Sequence, residues 1–478
     1  MKWRPEWREP WLAWGAGAAL VRLGVALLVP ILPEEAYHWC YARHPALGYY
    51  DHPPMIAWMI GLGRLVAGDT VIGIRLVPSL ASIVTAGSVG WMSRQLHGAS
   101  AARWTVILLS LQPLSLVGFG FGFPDAPLVL FWALAAAFVV QALRSGAGAW
   151  WLAAGGALGA ALLSKYTACF LGASVFLYLL VSPRDRRWLK TPWPYLGMLV
   201  AVAVFSPVFY WNATHDWASF RFQSVDRLKD AQTPHLRGAL AFLGGQWGTV
   251  VPLTLPLAVA ATVVAARRKS PEDVFLLCLS LPMLLFFFVV GWTRATHVLW
   301  PFPAWLALTV LMGDALARGP GLVAAGYRAR WMWVLGISVA ALAVASVHLV
   351  RPVPGVKPLR ELTDWDEIAA EARRLRTSLP SDSFYVGVGR RYSCAAQLAY
   401  HLNAPELVHA KNLLGEDGLG FAYWDRPDRL LGKDAVVVSE SDWSPNLEAC
   451  LGRSFRHVER APGRGRYAFF IARDYAPP

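Results

Sequence analysis

A chain of 478 residues that is 56% hydrophobic and 16% charged, with a mean hydropathy of +0.40, has more apolar surface than a soluble core of that size uses. An ordinary soluble enzyme is excluded, and a polytopic membrane protein is predicted. The net charge of +13 requires neither nucleic acid nor an acidic partner, because basic anchors in cytoplasmic loops supply most of it.

Apolar blocks of about 17 to 25 residues, the length that crosses a hydrocarbon core as helix, recur along the chain and predict about eleven spans. They fall at residues 11–31, 75–96, 103–120, 124–143, 149–165, 166–182, 193–212, 237–266, 273–292, 297–314 and 331–349. The first lacks a small-residue cleavage pattern after it and is expected to stay as a signal anchor.

The loop at residues 32–74 is the most informative segment. Pro33, Glu34, Glu35, Ala36, Tyr37, His38 and Trp39 open a short helix running to Arg43, and Tyr49, Tyr50, Asp51, His52, Pro53 and Pro54 follow in an extended stretch. Residues 55–67 are apolar but too short to span, which predicts a second helix lying in the membrane plane and a loop that lids the bundle. First-turn acids compensate a helix dipole, so the plain reading of Glu34 and Glu35 is capping; the aromatic interfacial setting points instead to a reaction site.

Further polar residues mark the ends of later spans. Asp125 follows Pro124, Lys165 and Tyr166 stand at a junction, and Asn212, His215, Asp216 and Arg221 share one loop with several aromatics. Arg294 and His297 border another span. A lone Lys or Arg at such a place is usually a snorkelling anchor, but acidic, basic and aromatic groups on one predicted face suit a site for an anionic headgroup and a polar substrate. Asp51 and His52 could ligate a divalent metal, although two adjacent residues make no site. The five cysteines lack CxxC spacing, and only Cys394 and Cys450 could pair.

Basic residues at Arg184, Arg186, Arg187 and Lys190, at Arg267, Arg268 and Lys269, and at Arg318, Arg328 and Arg330 fall on one face with Lys2, Arg4 and Arg8 if the N-terminus is cytoplasmic. The 32–74 loop and everything beyond about residue 350 then face outward. That last part is more polar and predicts a soluble α/β domain: a helix capped by Thr363 and stopped by Pro380, strands at 384–388, 435–438 and 467–471, and a helix at 395–402. The chain thus divides into a membrane domain, 1–350, and a soluble domain, 351–478.

The motifs from Pro33 to Trp39 and from Gly48 to Pro54, then Phe123 to Pro127, Leu163 to Thr167, and Trp211 to Phe220, resemble the bacterial glycosyltransferases related to protein O-mannosyltransferases and to the lipid A aminoarabinose transferases. The resemblance implies a polytopic α-helical membrane protein of C-type glycosyltransferase fold with a C-terminal soluble α/β domain, seated in the bacterial inner membrane. It also implies a polyprenyl-phosphate sugar donor, transfer on the periplasmic face, and a lipid A, glycolipid, polysaccharide or protein acceptor. By the match to the family's acidic pair, usually Asp then Glu, Glu34 is the acceptor-side carboxylate and Glu35 its helper. Lys165, Arg221, Arg294 and His297 are candidates for the phosphate side, and Tyr37, Tyr50, Asp51, His52, Asp125, Tyr166, Asn212, His215 and Asp216 for substrate contacts. No cofactor is firmly implied. A transporter or flippase of lipid-linked glycans, or a ligase that moves a preassembled glycan, is the competing reading; against a transporter stand the missing repeat and the outer-edge placement of the polar groups.

Overall fold

A computed structural model of the chain describes residues 10–226, 236–249, 254–294, 296–318, 327–350, 365–440 and 447–477. Thr363 and the basic residues before Pro10 lie outside the described residues. The chain divides into two compact units. One comprises Met1–Leu28, His52–Ile56 and Arg75–Arg351; the other comprises Val29–Asp51, Ala57–Ile74 and Pro352–Pro478.

The helices run in order α1 (Pro10–Leu28), α2 (Pro33–Arg43), α3 (Met55–Ala67), α4 (Val71–His97), α5 (Ala99–Leu111), α6 (Pro113–Gly120), α7 (Asp125–Ser145) and α8 (Ala149–Leu162). After a single 3-10 turn at Tyr166–Ala168 come α9 (Cys169–Val181), a basic 3-10 turn at Arg186–Lys190, and α10 (Trp193–Ala213). Next are α11 (Ala218–Arg221), α12 (Leu236–Thr249), α13 (Leu255–Arg268), α14 (Pro271–Gly291), α15 (Phe302–Arg318) and α16 (Tyr327–Val350).

Five of these, α1, α4, α7, α10 and α14, are long and apolar enough to cross a membrane. Shorter apolar helices accompany them, so a count of eleven spans would draw on the short ones too. Two expected spans are divided. The 103–120 block breaks at Gln112, whose extended backbone (φ −72°, ψ 128°) is the conformation imposed by the following Pro113. The 237–266 block becomes α12 and α13, with residues 250–253 between them outside the described residues.

In the first unit α8 packs against both α7 and α10. Glycine makes this approach possible: a Cβ on Gly155 would lie 1.9 Å from the Gly197 carbonyl oxygen, so the α8 and α10 backbones touch where neither carries a side chain. At the far ends of four helices Arg268 bonds Asp273 at 2.5 Å and Asp314 at 2.8 Å, and Arg318 also bonds Asp314. His97 stands 3.7 Å from each of these carboxylates. Among the described residues this is the one trio of His and Asp with metal-like spacing, but two guanidinium groups already offset its two carboxylates. It acts as an ion-pair clasp.

The second unit combines α2 and most of α3 with α17 (Trp365–Arg376), β1 (Phe384–Val388), α18 (Ser393–Leu402), β2 (Val408–Ala410), α19 (Phe421–Trp424), β3 (Ala435–Glu440), α20 (Leu447–Ser454), β4 (Phe455–Arg464) and β5 (Tyr467–Tyr475). The sheet order is β2-β1-β3-β5-β4, with β1 parallel to β2 and β3, and β5 antiparallel to β3 and β4. The apolar run Ala435 to Val438 is buried throughout, as a strand covered on both faces must be. Gly387 of β1 admits α18 closely: a Cβ there would meet Ala395 at 2.4 Å. The three expected strands and the 395–402 helix are present, while β2 and β4 escaped the sequence reading, β2 because it is three residues long and β4 because its residues are mostly exposed and charged. All five cysteines are free thiols, and Cys394 donates to the Val438 carbonyl instead of pairing with Cys450.

Candidate active site

The acidic loop belongs wholly to the second unit up to Asp51. Pro33 starts α2 as a residue without an N–H should, and Glu35, two positions on, turns back so that its carboxylate accepts from the Leu32 N–H at 3.1 Å. Glu35 is fully buried, whereas Glu34 is half-buried. The two carboxylates are thus placed differently: Glu35 closes the helix N-terminus, and Glu34 is the less buried of the pair.

Behind them the aromatic residues form a core. Tyr37 and Tyr41, one helical turn apart and both fully buried, donate to the same Asp51 oxygen, Tyr37 at 3.1 Å. The Tyr37 hydroxyl also accepts from the Gly420 N–H at 2.8 Å, and its ring stacks on Tyr392 at 3.9 Å with the planes 2° apart. Burial, and then the Asp51 charge, push both phenols well above their ordinary range, so they stay protonated donors. Burial and then the Glu34 and Asp51 charges do the same to Tyr392. Tyr50 stacks on Tyr423 at 5.2 Å, and the Gln397 amide donates to the Ile31 carbonyl at 2.9 Å. The C-terminal sheet domain thus grips both ends of the acidic segment.

The first unit holds a second polar cluster. Asp125 opens α7, and the Lys165 ammonium lies 2.8 Å from both its oxygens. Lys165 is therefore half of an ion pair. Tyr166 shares a 2.6 Å hydrogen bond with Ser219 and meets the Phe220 ring edge-on at 5.6 Å, which brings the α8–α9 junction against the 212–220 loop. The Met55 N–H donates to the Leu163 carbonyl at 3.0 Å, fixing the segment that carries His52 beside the end of α8.

Asn212 is fully buried and spends its amide on the fold, donating to the Val208 carbonyl at 2.9 Å and accepting from the Phe220 N–H at 3.1 Å. Both polar ends thus serve the loop backbone. His215 stacks on Trp211 at 4.2 Å, and Asp216 and Arg221 are exposed. Asp216 and Trp217 both have positive φ, of 51° and 55°, so the loop turns sharply there. Arg294 is half-buried and His297 exposed in the connection between α14 and α15. Among the described residues no metal-like group contains Asp51 and His52, and Asp51 already takes two phenol hydrogens.

Residues 51–211 match the family described as dolichyl-phosphate-mannose-protein mannosyltransferase. The structure is similar to ArnT from Cupriavidus metallidurans bound to undecaprenyl phosphate, with a TM-score of 0.69 at 18% identity, covering 97% of this chain and 98% of that one. The fold is that of a C-type membrane glycosyltransferase. The archaeal oligosaccharyltransferase AglB from Archaeoglobus fulgidus is a more distant likeness, with a TM-score of 0.57 at 11% identity over 99% of this chain and 75% of that one. In sequence the chain is 28% identical over 283 residues to the lipid A galacturonosyltransferase RgtD of Rhizobium johnstonii, covering 58% of this chain and 59% of RgtD. It is 26% identical over 380 residues to the undecaprenyl phosphate-alpha-4-amino-4-deoxy-L-arabinose arabinosyl transferase of Pseudomonas aeruginosa, covering 71% and 66%. The chain thus spans under two thirds of the length of the curated relatives it matches. It is related to the O-mannosyltransferases and the lipid A sugar transferases.

As site residues the reading from sequence passed over Tyr41, Tyr392 and Gly420. Tyr41 had a signal, its i+4 spacing from Tyr37 on a helix whose other face is also aromatic. Tyr392 and Gly420 had none, since their partner is more than 350 residues away in the chain.

Proposed function

We propose that the protein transfers a sugar from a polyprenyl-phosphate donor to a lipid A or related envelope acceptor on the periplasmic face of the bacterial inner membrane. The observation that carries this reading is the likeness over nearly the whole chain to an ArnT structure holding undecaprenyl phosphate, joined to sequence similarity to lipid A galacturonosyl and aminoarabinosyl transferases. The N-terminus is cytoplasmic in this reading and the domain after residue 350 is periplasmic, consistent with the basic segments at Arg186–Lys190 and Arg267–Lys269.

The acceptor oxygen attacks the anomeric carbon, and the bond from that carbon to the phosphate oxygen breaks with its electron pair leaving on polyprenyl phosphate. A hydroxyl acceptor gives its proton to Glu34, the half-buried carboxylate at the family's acidic position. An ionised phosphate acceptor needs no base, and Glu34 then orients it. Arg221, Arg294 and His297 supply positive charge toward the leaving phosphate, and the Lys165 and Asp125 pair sets the α8–α9 junction around which Tyr166, His215 and Asp216 contact substrate. Asp51 with Tyr37, and Tyr50 with Tyr423, hold the loop that presents Glu34, and His52 follows as a donor-side contact. The membrane part acts as the catalytic domain and residues 351–478 as its periplasmic support.

The test is purified protein in detergent or vesicles with undecaprenyl-phosphate galacturonose or aminoarabinose and lipid A, with no ion gradient. Product analysed by mass spectrometry supports transfer. Movement of the lipid-linked sugar across vesicles with no new glycosidic bond supports a carrier, and transfer only of preassembled glycans supports a ligase.

A further inference from the structure

The first unit contains an apolar cavity of about 260 Å³ bounded by α7, α8, α9, α10 and the 3-10 turn at Arg186–Lys190. Its walls include Trp151, Leu158, Gly172, Val175 and Leu189, and it is bordered by Phe176, Tyr195 and Met198, which are 50%, 51% and 46% exposed on the outer surface of a membrane-spanning bundle. Such a space opens toward lipid. Its volume, just below the roughly 300 to 1,000 Å³ range of ligand pockets, suits a single slender hydrocarbon chain and nothing bulkier.

Two further observations bear on the occupant. Trp151 and Trp188, ring centroids 5.6 Å apart, are 4% and 5% exposed, and neither indole N–H has a hydrogen-bond partner among the described residues. Buried donors of this kind normally find an acceptor, and Trp151 lines the cavity. The turn that contributes Leu189 to the wall also carries Arg186, Arg187 and Lys190, all exposed. Neighbouring Arg184 is spent on Asp185 at 3.0 Å and Glu272 at 2.9 Å, and Arg186 is partly held by the Leu180 carbonyl at 3.1 Å. Topological bias accounts for basic residues at a helix end, but not for an apolar cavity and unsatisfied indoles beside them.

We infer that this cavity binds an anionic glycerophospholipid of the surrounding leaflet, with one acyl chain between α8, α9 and α10 and its phosphate against Arg187, Lys190 and Arg186. The ester carbonyls, which lie between chain and phosphate, provide the acceptor that the Trp151 indole lacks. A polybasic edge attracts anionic lipid over zwitterionic lipid, and the apolar cavity adds a chain-specific contact that charge alone does not.

The test is native mass spectrometry of the delipidated full chain titrated with dioleoyl phosphatidylglycerol or dioleoyl phosphatidylcholine. One phosphatidylglycerol is expected to bind at least tenfold more tightly than phosphatidylcholine. The triple variant Arg186→Gln, Arg187→Gln, Lys190→Gln should erase that preference. Gly172→Leu should lower affinity for phosphatidylglycerol about tenfold: a Cβ at Gly172 meets only the flexible ends of Leu158 and Met198, at 3.4 and 3.5 Å, so the added side chain enters the cavity. Val175→Phe fills the same space from the next turn of α9 and serves if Gly172→Leu does not fold. Equal binding of the two lipids by the natural chain overturns the inference, as does a preference that survives the triple variant. Undecaprenyl phosphate displacing phosphatidylglycerol one for one, with both lost in the cavity-filling variant, also overturns it by assigning the cavity to a polyprenyl chain.

Discussion

The Leu32 N–H donates to the Glu35 carboxylate at 3.1 Å, so of two adjacent glutamates in one first turn, one is committed to closing the helix. Glu35→Ala should therefore lower thermal stability by about 0.5 to 2 kcal/mol, the range for loss of a helix cap. Glu34→Gln should leave the melting temperature almost unchanged and reduce sugar transfer about a hundredfold or more, the scale for a positioned acid or base. Glu34→Asp should retain measurable transfer. Full activity in Glu34→Gln with loss in Glu35→Gln would reverse the two roles.

Lys165 and Asp125 form a buried bidentate pair, with side chains 12% and 3% exposed. Lys165→Met strands a carboxylate and should cost about 3 to 5 kcal/mol of unfolding free energy. Adding Asp125→Asn should recover most of that stability. If transfer stays lost in the stable double variant, the pair has a part in the reaction beyond structure.

Tyr37 donates to Asp51 and accepts from Gly420, while Tyr41 shares only the Asp51 contact among these. Tyr37→Phe should thus be the more destabilising, by about 1 to 3 kcal/mol, since it leaves a buried N–H as well as a carboxylate short of a partner. Thermal unfolding of the two variants side by side measures the difference, and equal losses would remove Gly420 from the account.

His44 stacks on Trp424 at 4.6 Å, and burial lowers its pKa below the ordinary 6.5. Below that value the unfolded chain takes up a proton that the folded chain declines, so stability falls as pH drops from about 7 toward 5. His44→Phe should flatten that part of the stability profile, and an unchanged slope would show that the effect lies elsewhere.

A periplasm-specific reporter fused after Pro478 should be active, and the same reporter after Arg268 inactive. Activity in the opposite pattern would invert the proposed orientation.

Sequence alone determined the class of the molecule and the positions of several of its elements, because both follow from local rules. Apolar length marks a bilayer solvent, a proline before two glutamates starts a helix, and the run Ala435 to Val438 can only be a strand buried on both faces. Those rules operate within a few residues, and α2, α3, β1 and β3 accordingly appear where periodicity and turn residues put them. The neutralisation of Lys165 by Asp125 and the contacts that tie Tyr37 to Tyr392 and Gly420 were decided only by tertiary structure. The Lys165 pair is made across 40 positions, and the Tyr37 contact with Gly420 across 383. A side chain's type fixes which partners it accepts, but only the packed chain determines which of them arrives first and leaves the others without one.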